Sequence, residues 1–198
     1  MTAILRVAAI TLFALAGGWE VRADDRLTCY MANSNDWTNS DKYDAAILAC
    51  DRLISYTKGH VQAAAYRTRG YWKHKKGNSQ SALEDFDTAI QLDPQNIEGY
   101  NYRGDVLRDI GDLDRALADY EMVIGIDPNF TAAYFSRGYL YEMKRDTVAA
   151  RREYNRALAT PTNDANRLAE WARNEARKRL DALGPQSSGS RLGPNDHH

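Results

Sequence analysis

The sequence predicts an all-α fold, an array of stacked helical hairpins closed by a capping helix, and three observations carry that reading. Tyr66, Arg69, Gly70 and Ala82 recur as Tyr100, Arg103, Gly104 and Ala116, and again as Tyr134, Arg137, Gly138 and Ala150, 34 residues apart without a gap. An internal period of this length marks helical hairpins that bury their core against their neighbours. Small residues alternate with large ones at fixed places, and a proline closes each period. An array of this kind leaves long surfaces free, so a binding scaffold is the first functional expectation.

Residues 1–23 stand apart from the array. A lone Arg6 precedes an apolar run from Val7 to Leu15, a Gly17-Gly18 break, and then Val21-Arg22-Ala23, whose small residues suit signal peptidase. We read this as an export signal ending at Ala23. The run is short for a bilayer core of about 30 Å, and no second hydrophobic stretch follows, which favours a cleaved signal over a retained anchor. Cys29 follows Arg26-Leu27-Thr28 rather than the apolar and small residues of a lipoprotein signal. The expected location is the periplasm of a bacterium, or the medium beyond it.

With 198 residues, 43% of them hydrophobic, and a formal net charge of -1, the chain suffices for one well-buried domain and has no charge excess to drive nucleic-acid binding. Loss of residues 1–23 shifts the formal charge to -2, which favours neither DNA nor anionic lipid. Protein or peptide partners are the expectation, with no membrane insertion after cleavage. Export also gives the only two cysteines, Cys29 and Cys50, an oxidising surrounding that favours a disulfide over two separate buried thiols. Closing a loop of about 20 residues contributes roughly 3 kcal/mol in the chain-entropy account.

Aligned on their glycines, the units run 63–96, 97–130 and 131–164, and end in Leu92-Asp93-Pro94, Ile126-Asp127-Pro128 and Thr160-Pro161. Proline stops each second helix because it lacks an amide proton and restricts the residue before it. In the first unit helix A is expected over 63–75 and helix B over 79–92. Between them Gly77 supplies the left-handed conformation that ends a helix. Gly111 repeats that turn, but Arg145 stands in the third equivalent place, where a different turn or strain is expected. Gly70, Gly104 and Gly138 face Ala82, Ala116 and Ala150, while Tyr66, Tyr100, Tyr134, Phe86, Tyr120 and Tyr154 fill the remaining space as core.

These residues resemble the tetratricopeptide repeat (TPR) family in register over three full units, with Ala89, Val123 and Ala157 in the last small slot. The resemblance implies a right-handed superhelical solenoid. Asp41 to Ile47, followed by Cys50 and Leu53, is similar to a TPR helix B, so 24–62 is expected to form a degenerate first hairpin, its first helix near 27–35. That module resembles the opening of exported bacterial TPR proteins. Downstream, Leu168, Trp171, Ala172, Glu175, Ala176, Leu180 and Leu183 share a helix face within 165–184, stopped by Gly184-Pro185, with Arg167, Arg173, Arg177 and Lys178 turned to water. Residues 185–198, rich in Ser, Gly and Pro, read as a disordered tail.

No spacing suggests an active site: there is no paired-histidine metal motif, glycine-rich phosphate loop or serine on a strand-to-helix turn, so neither catalysis nor a cofactor or metal is expected. One polar pattern repeats. Arg69 and Asp85, Arg103 and Asp119, and Arg137 and Glu153 are each 16 residues apart. They are either bidentate, partly buried pairs that fix hairpin stacking or solvated surface pairs of little worth.

In the TPR family helix A lines the concave surface, which the resemblance carries to Arg67, Tyr71, His74 and Lys75; to Asn101, Asp105, Arg108 and Asp109; and to Phe135, Tyr139, Glu142 and Met143. The Lys73 to Lys76 run also reads as a solvated helix end that complements the helix dipole. The set is basic, then polar, then aromatic and apolar, and suits an extended peptide or partner helix. The lysine and asparagine clamp of some chaperone-binding TPR domains is not reproduced, since Arg67 and Tyr71 stand where it would begin. The expected function is thus a non-catalytic scaffold in the cell envelope, the alternative being a component that self-associates in an envelope assembly.

Overall fold

A computed structural model describes residues 20–30, 40–161 and 167–184. Most of the expected export signal and the whole of the expected tail at 185–198 lie outside the described residues. Nine helices are present among them: α1 (Glu20–Tyr30), α2 (Ser40–Tyr56), α3 (Gly59–Lys75), α4 (Ser79–Leu92), α5 (Ile97–Asp109), α6 (Leu113–Ile126), α7 (Thr131–Met143), α8 (Thr147–Ala159) and α9 (Arg167–Ala182). The chain divides into two compact units, at Ile126 and Asp127.

The first unit holds α1 to α6, and successive helices pack as antiparallel hairpins. Its opening hairpin pairs α1 with α2, tied by the Cys29–Cys50 disulfide. Helix α1 spans 20–30 and so begins ahead of the helix expected near 27–35, whose residues 31–35 lie outside the described ones. Among its described side chains Asp25 and Cys29, one turn apart, are buried, a pattern that hydrophobic periodicity does not flag. Asp25 is buried and accepts from Arg52 Nε at 2.6 Å and the Tyr56 hydroxyl at 3.4 Å. Helix α3 begins at Gly59 rather than near 63, because Gly59 to Gln62 add a turn that is held as Gln62 Nε2 donates to the Ile54 carbonyl at 3.1 Å.

Each hairpin closes where the sequence puts its smallest residue. A Cβ added at Gly104 would lie 2.8 Å from Cε1 of Tyr120, a ring with no solvent exposure, so glycine is what lets helices A and B approach. Gly77 and Gly111 take φ of 85° and 87°, and the amides of Gly77 and Asn78 bond the carbonyls of His74 and Lys73.

The second unit holds α7, α8 and α9. Arg145 adopts φ 61°, and the amides of Arg145 and Asp146 bond the carbonyls of Glu142 and Tyr141 as in the glycine turns. The turn is therefore the same, and the non-glycine residue carries the left-handed strain. Helix α9 packs on both α7 and α8 through Ala169, Ala172 and Ala176, with Leu180 and Leu183 alongside. Two residues expected on its buried face sit at its margin: Leu168 is 40% and Trp171 50% exposed. Arg173, expected in water, is half-buried and donates to the Thr160 carbonyl, covering an exposed helix end.

Candidate interaction site

The first unit contains a cavity of about 310 Å³ lined by Tyr30, Arg67, Thr68, Tyr71, Trp72, Glu98 and Tyr102, contributed by α1, α3 and α5. Arg67 and Tyr71 are among the residues that the TPR resemblance carries to the concave surface. Residues 67, 68 and 71 face the cavity because they fall on one stripe of α3, and α5 supplies Glu98 and Tyr102 in the same manner. Tyr71 meets Trp72 edge-on, with centroids 4.8 Å apart at 78°, and tilts against Tyr102 at 5.4 Å and 50°. Arg67 forms an ion pair with Glu98. Burial lowers the Arg67 guanidinium from its ordinary value and raises the phenols of Tyr30, Tyr71 and Tyr102.

The wall from α1 is fixed by two contacts to its neighbour. The Tyr30 hydroxyl donates to the Val61 carbonyl at 3.2 Å, and the Trp72 indole donates to the Cys29 carbonyl at 3.4 Å. Lys75 lies with its ammonium 5.3 Å from the Tyr71 ring centroid, and His74 sits between Ser79 Oγ at 3.3 Å and Asp109 at 3.1 Å.

The polar residues of α5 largely satisfy one another. Asp105 accepts from Arg108 at 2.8 Å and from the Tyr120 hydroxyl at 2.9 Å, while Arg108 also reaches Asp109 at 2.8 Å. Burial pushes the Asp105 carboxyl above its usual range against the pull of Arg108. Asn101 is buried, with its amide nitrogen 3.5 Å from Asp105.

In the second unit the selected residues lie against the capping helix. Phe135 is buried, stacks parallel to Tyr139 at 6.4 Å and meets Trp171 edge-on at 5.1 Å. The Arg179 guanidinium lies 4.4 Å from the Tyr139 centroid and bonds Glu142 at 3.0 Å. Glu142 also accepts from Tyr154 at 2.7 Å, and burial together with that bond raises the Tyr154 phenol. Met143 is 45% exposed.

The repeated arginines form a ladder. Arg69 grips both oxygens of Asp85 at 2.8 and 2.5 Å and reaches Asp51 with its third nitrogen at 2.6 Å. Arg103 does the same to Asp119 and Asp87. Each guanidinium thus joins helix B of its own hairpin to helix B of the preceding one. Arg137 departs from the expected fork: its Nε and Nη2 meet one oxygen of Glu153, at 3.0 and 2.5 Å. The longer glutamate turns its other oxygen to Arg152 and Arg156, at 3.0 and 3.3 Å. Tyr66, Tyr100 and Tyr134 each place a ring beside the corresponding guanidinium, at 5.1, 5.6 and 5.8 Å.

Sequence reasoning missed Tyr30, Glu98 and Tyr102. Tyr30 precedes the periodic region and carried no signal; Glu98 and Tyr102 lie on the same face of helix A as the chosen residues, so a full helical projection finds them. Among the described residues no cluster of three metal-ligating side chains occurs, and no helix is long and apolar enough to cross a membrane.

Comparison with known families agrees with this geometry. Residues 63–96 and 86–118 match tetratricopeptide repeat models, and 104–144 match a TPR repeat model. Residues 63–144 are thus tetratricopeptide repeats, and the fold is of the all-α, helical-hairpin solenoid class. The crystal structure of MamA protein is similar at 27% identity, with a TM-score of 0.54 over 61% of this chain and 68% of that one. A tetratricopeptide repeat protein from Parabacteroides merdae is similar at 18% identity, with a TM-score of 0.59 over 82% and 62%. The first TPR of Spaghetti, bound to an HSP90 peptide, is similar at 22% identity, with a TM-score of 0.53 over 66% and 99%. No curated protein matches the chain.

Proposed function

We propose that this chain is a non-catalytic interaction scaffold of the cell envelope that holds an extended peptide or a partner helix against the helix A faces of its repeats. The observation that carries the reading is the aromatic cavity around Arg67 and Tyr71, a recess among residues whose fixed spacing leaves them pointing away from the hairpin core. Peptide binding by a solved domain of similar fold, the Spaghetti domain with its HSP90 peptide, is consistent with it. Export is supported by the apolar run at Val7 to Leu15 and by a disulfide between the only two cysteines.

The test is affinity capture from envelope extract by the oxidised chain, in parallel with an Arg67→Ala, Tyr71→Ala double variant. A partner retained by the first and lost by the second establishes the groove. Equal capture moves the interaction to the outer surface. Amino-terminal sequencing of protein from the same fraction should read Asp24 first, and an intact Met1 in cytosol would refute export.

A further inference from the structure

We propose that the cavity walled by Tyr30, Tyr71, Trp72 and Tyr102 receives one neutral aromatic side chain of a bound peptide, and that it is complete only while Cys29 and Cys50 are joined. The proposal rests on the scaffold reading above and names the anchor that such a scaffold holds.

Size and shape come first. At about 310 Å³ the cavity is at the small end of ligand pockets, room for one bulky side chain rather than a folded element. Its rings are already arranged edge-on and tilted, the geometries aromatic groups prefer, so a further ring extends the cluster without rearrangement.

Charge decides among occupants. Arg67, only 21% exposed at its side chain, is neutralised by Glu98. A carboxylate would have to displace Glu98 from it, and a cation would face the guanidinium at close range. Either leaves a partly buried charge with a poorer partner, a heavy cost in a desolvated site. A neutral ring leaves the pair intact. The Tyr71 and Tyr102 phenols stay protonated, since burial raises both, and their hydroxyls can donate to the peptide backbone.

The disulfide dependence follows from the wall at Tyr30. Helix α1 spans 11 residues, of which only 24–30 remain once the signal is removed at Ala23, and either length is marginal for an isolated helix in water, so its attachment decides whether that wall exists. The disulfide is its covalent attachment to α2, and the residue before Tyr30 is Cys29 itself, whose carbonyl accepts from Trp72 at 3.4 Å. A dithiol reductant delivers two electrons and two protons, cleaves the S–S bond to two thiols, and leaves as its own cyclic disulfide. The wall at Tyr30 is then left to the hydrogen bonds of α1, from Tyr30 to Val61, Trp72 to Cys29 and Arg52 to Asp25.

The experiment uses the oxidised full chain and the probe peptide acetyl-Gly-Gly-(4-fluorophenylalanine)-Gly-Gly-amide, followed by fluorine NMR. The probe should shift and broaden on titration, with competition by the plain phenylalanine peptide and none by peptides with lysine or glutamate at the centre. Affinity should fall at least tenfold in Thr68→Trp, which fills the cavity, in Tyr102→Ala, which opens it, and after dithiothreitol. Circular dichroism on each sample separates pocket loss from unfolding of the repeats. Absence of binding to the oxidised chain at millimolar probe, equal displacement by the charged peptides, or unchanged affinity after reduction overturns the proposal. If Thr68→Trp still captures the envelope partner while the aromatic probe fails, the anchor is wrong and the scaffold stands; if the unmodified chain captures no partner, the scaffold reading itself fails.

Discussion

Arg103 clasps Asp119 through two parallel hydrogen bonds, from Nε at 2.9 Å and Nη2 at 2.6 Å, with the carboxylate only 5% exposed. The hydrogen bonds to Asp119 hold the guanidinium above its ordinary value despite partial burial, and burial raises the carboxyl in turn. Substituting Arg103→Met leaves that carboxylate buried without its cation. We expect a loss of about 3 kcal/mol, the low end for a broken buried pair. Thermal unfolding reads it directly, and Arg103→Met, Asp119→Leu should recover much of the deficit, whereas an unchanged midpoint in the single variant would reduce the ladder to surface decoration.

Asp105 gives a pH dependence with a definite sign. Its folded-state carboxyl lies above the usual range, mainly through burial, so the folded chain binds its proton more readily than the unfolded chain. The ionised form therefore costs stability at neutral pH, and that cost disappears as pH falls through the folded value. Relative to Asp105→Asn, the parent chain should gain stability as pH falls from neutral toward the ordinary aspartate value of 3.8. A difference in melting temperature that stays flat over this interval would contradict the burial of Asp105.

Packing at the hairpin crossings predicts a sharp contrast. A Cβ at Gly138 would sit 2.7 Å from two atoms of Tyr154, a ring with no exposure, so Gly138→Ala forces the helices apart. Overpacking of this kind costs about 1–3 kcal/mol. Gly125→Ala meets nothing within 4 Å and should be neutral or slightly stabilising by helix propensity. Chemical denaturation of the pair checks the contrast.

The third hairpin turn is improvable. Arg145 holds φ 61° where the other turns use glycine, a conformation that costs a non-glycine residue about 1–2 kcal/mol. Part of that gain is offset by the greater unfolded freedom of glycine, so Arg145→Gly should stabilise by about 0.5 kcal/mol. The converse change, Gly111→Ala, should lower the melting temperature.

These cases also show what the sequence makes legible. The arginine–carboxylate pairs within a hairpin were readable because both residues lie inside one period. The second reach of each guanidinium was not, because its span depends on the connection between hairpins: Arg69 meets Asp51 across 18 residues, Arg103 meets Asp87 across 16. Arg67 and Tyr71 came from the resemblance to the TPR helix A, whereas Tyr30 lies ahead of the periodic region and reaches α3 at the Val61 carbonyl. On α9 the periodicity located the helix, but Leu168 and Trp171 stand at the margin of its packed face, because alanines make the closest contact.

The arrangement of the ladder bears on how such a chain lengthens. The segment 63–96 carries Arg69, which binds backward to Asp51, its own lock in Asp85, and in Asp87 the acceptor that the following arginine requires. A duplicated copy inserted in frame would bring its own plug and its own socket. For the arginine ladder, growth by copies of this segment is therefore chemically self-sufficient and calls for no added carboxylate elsewhere.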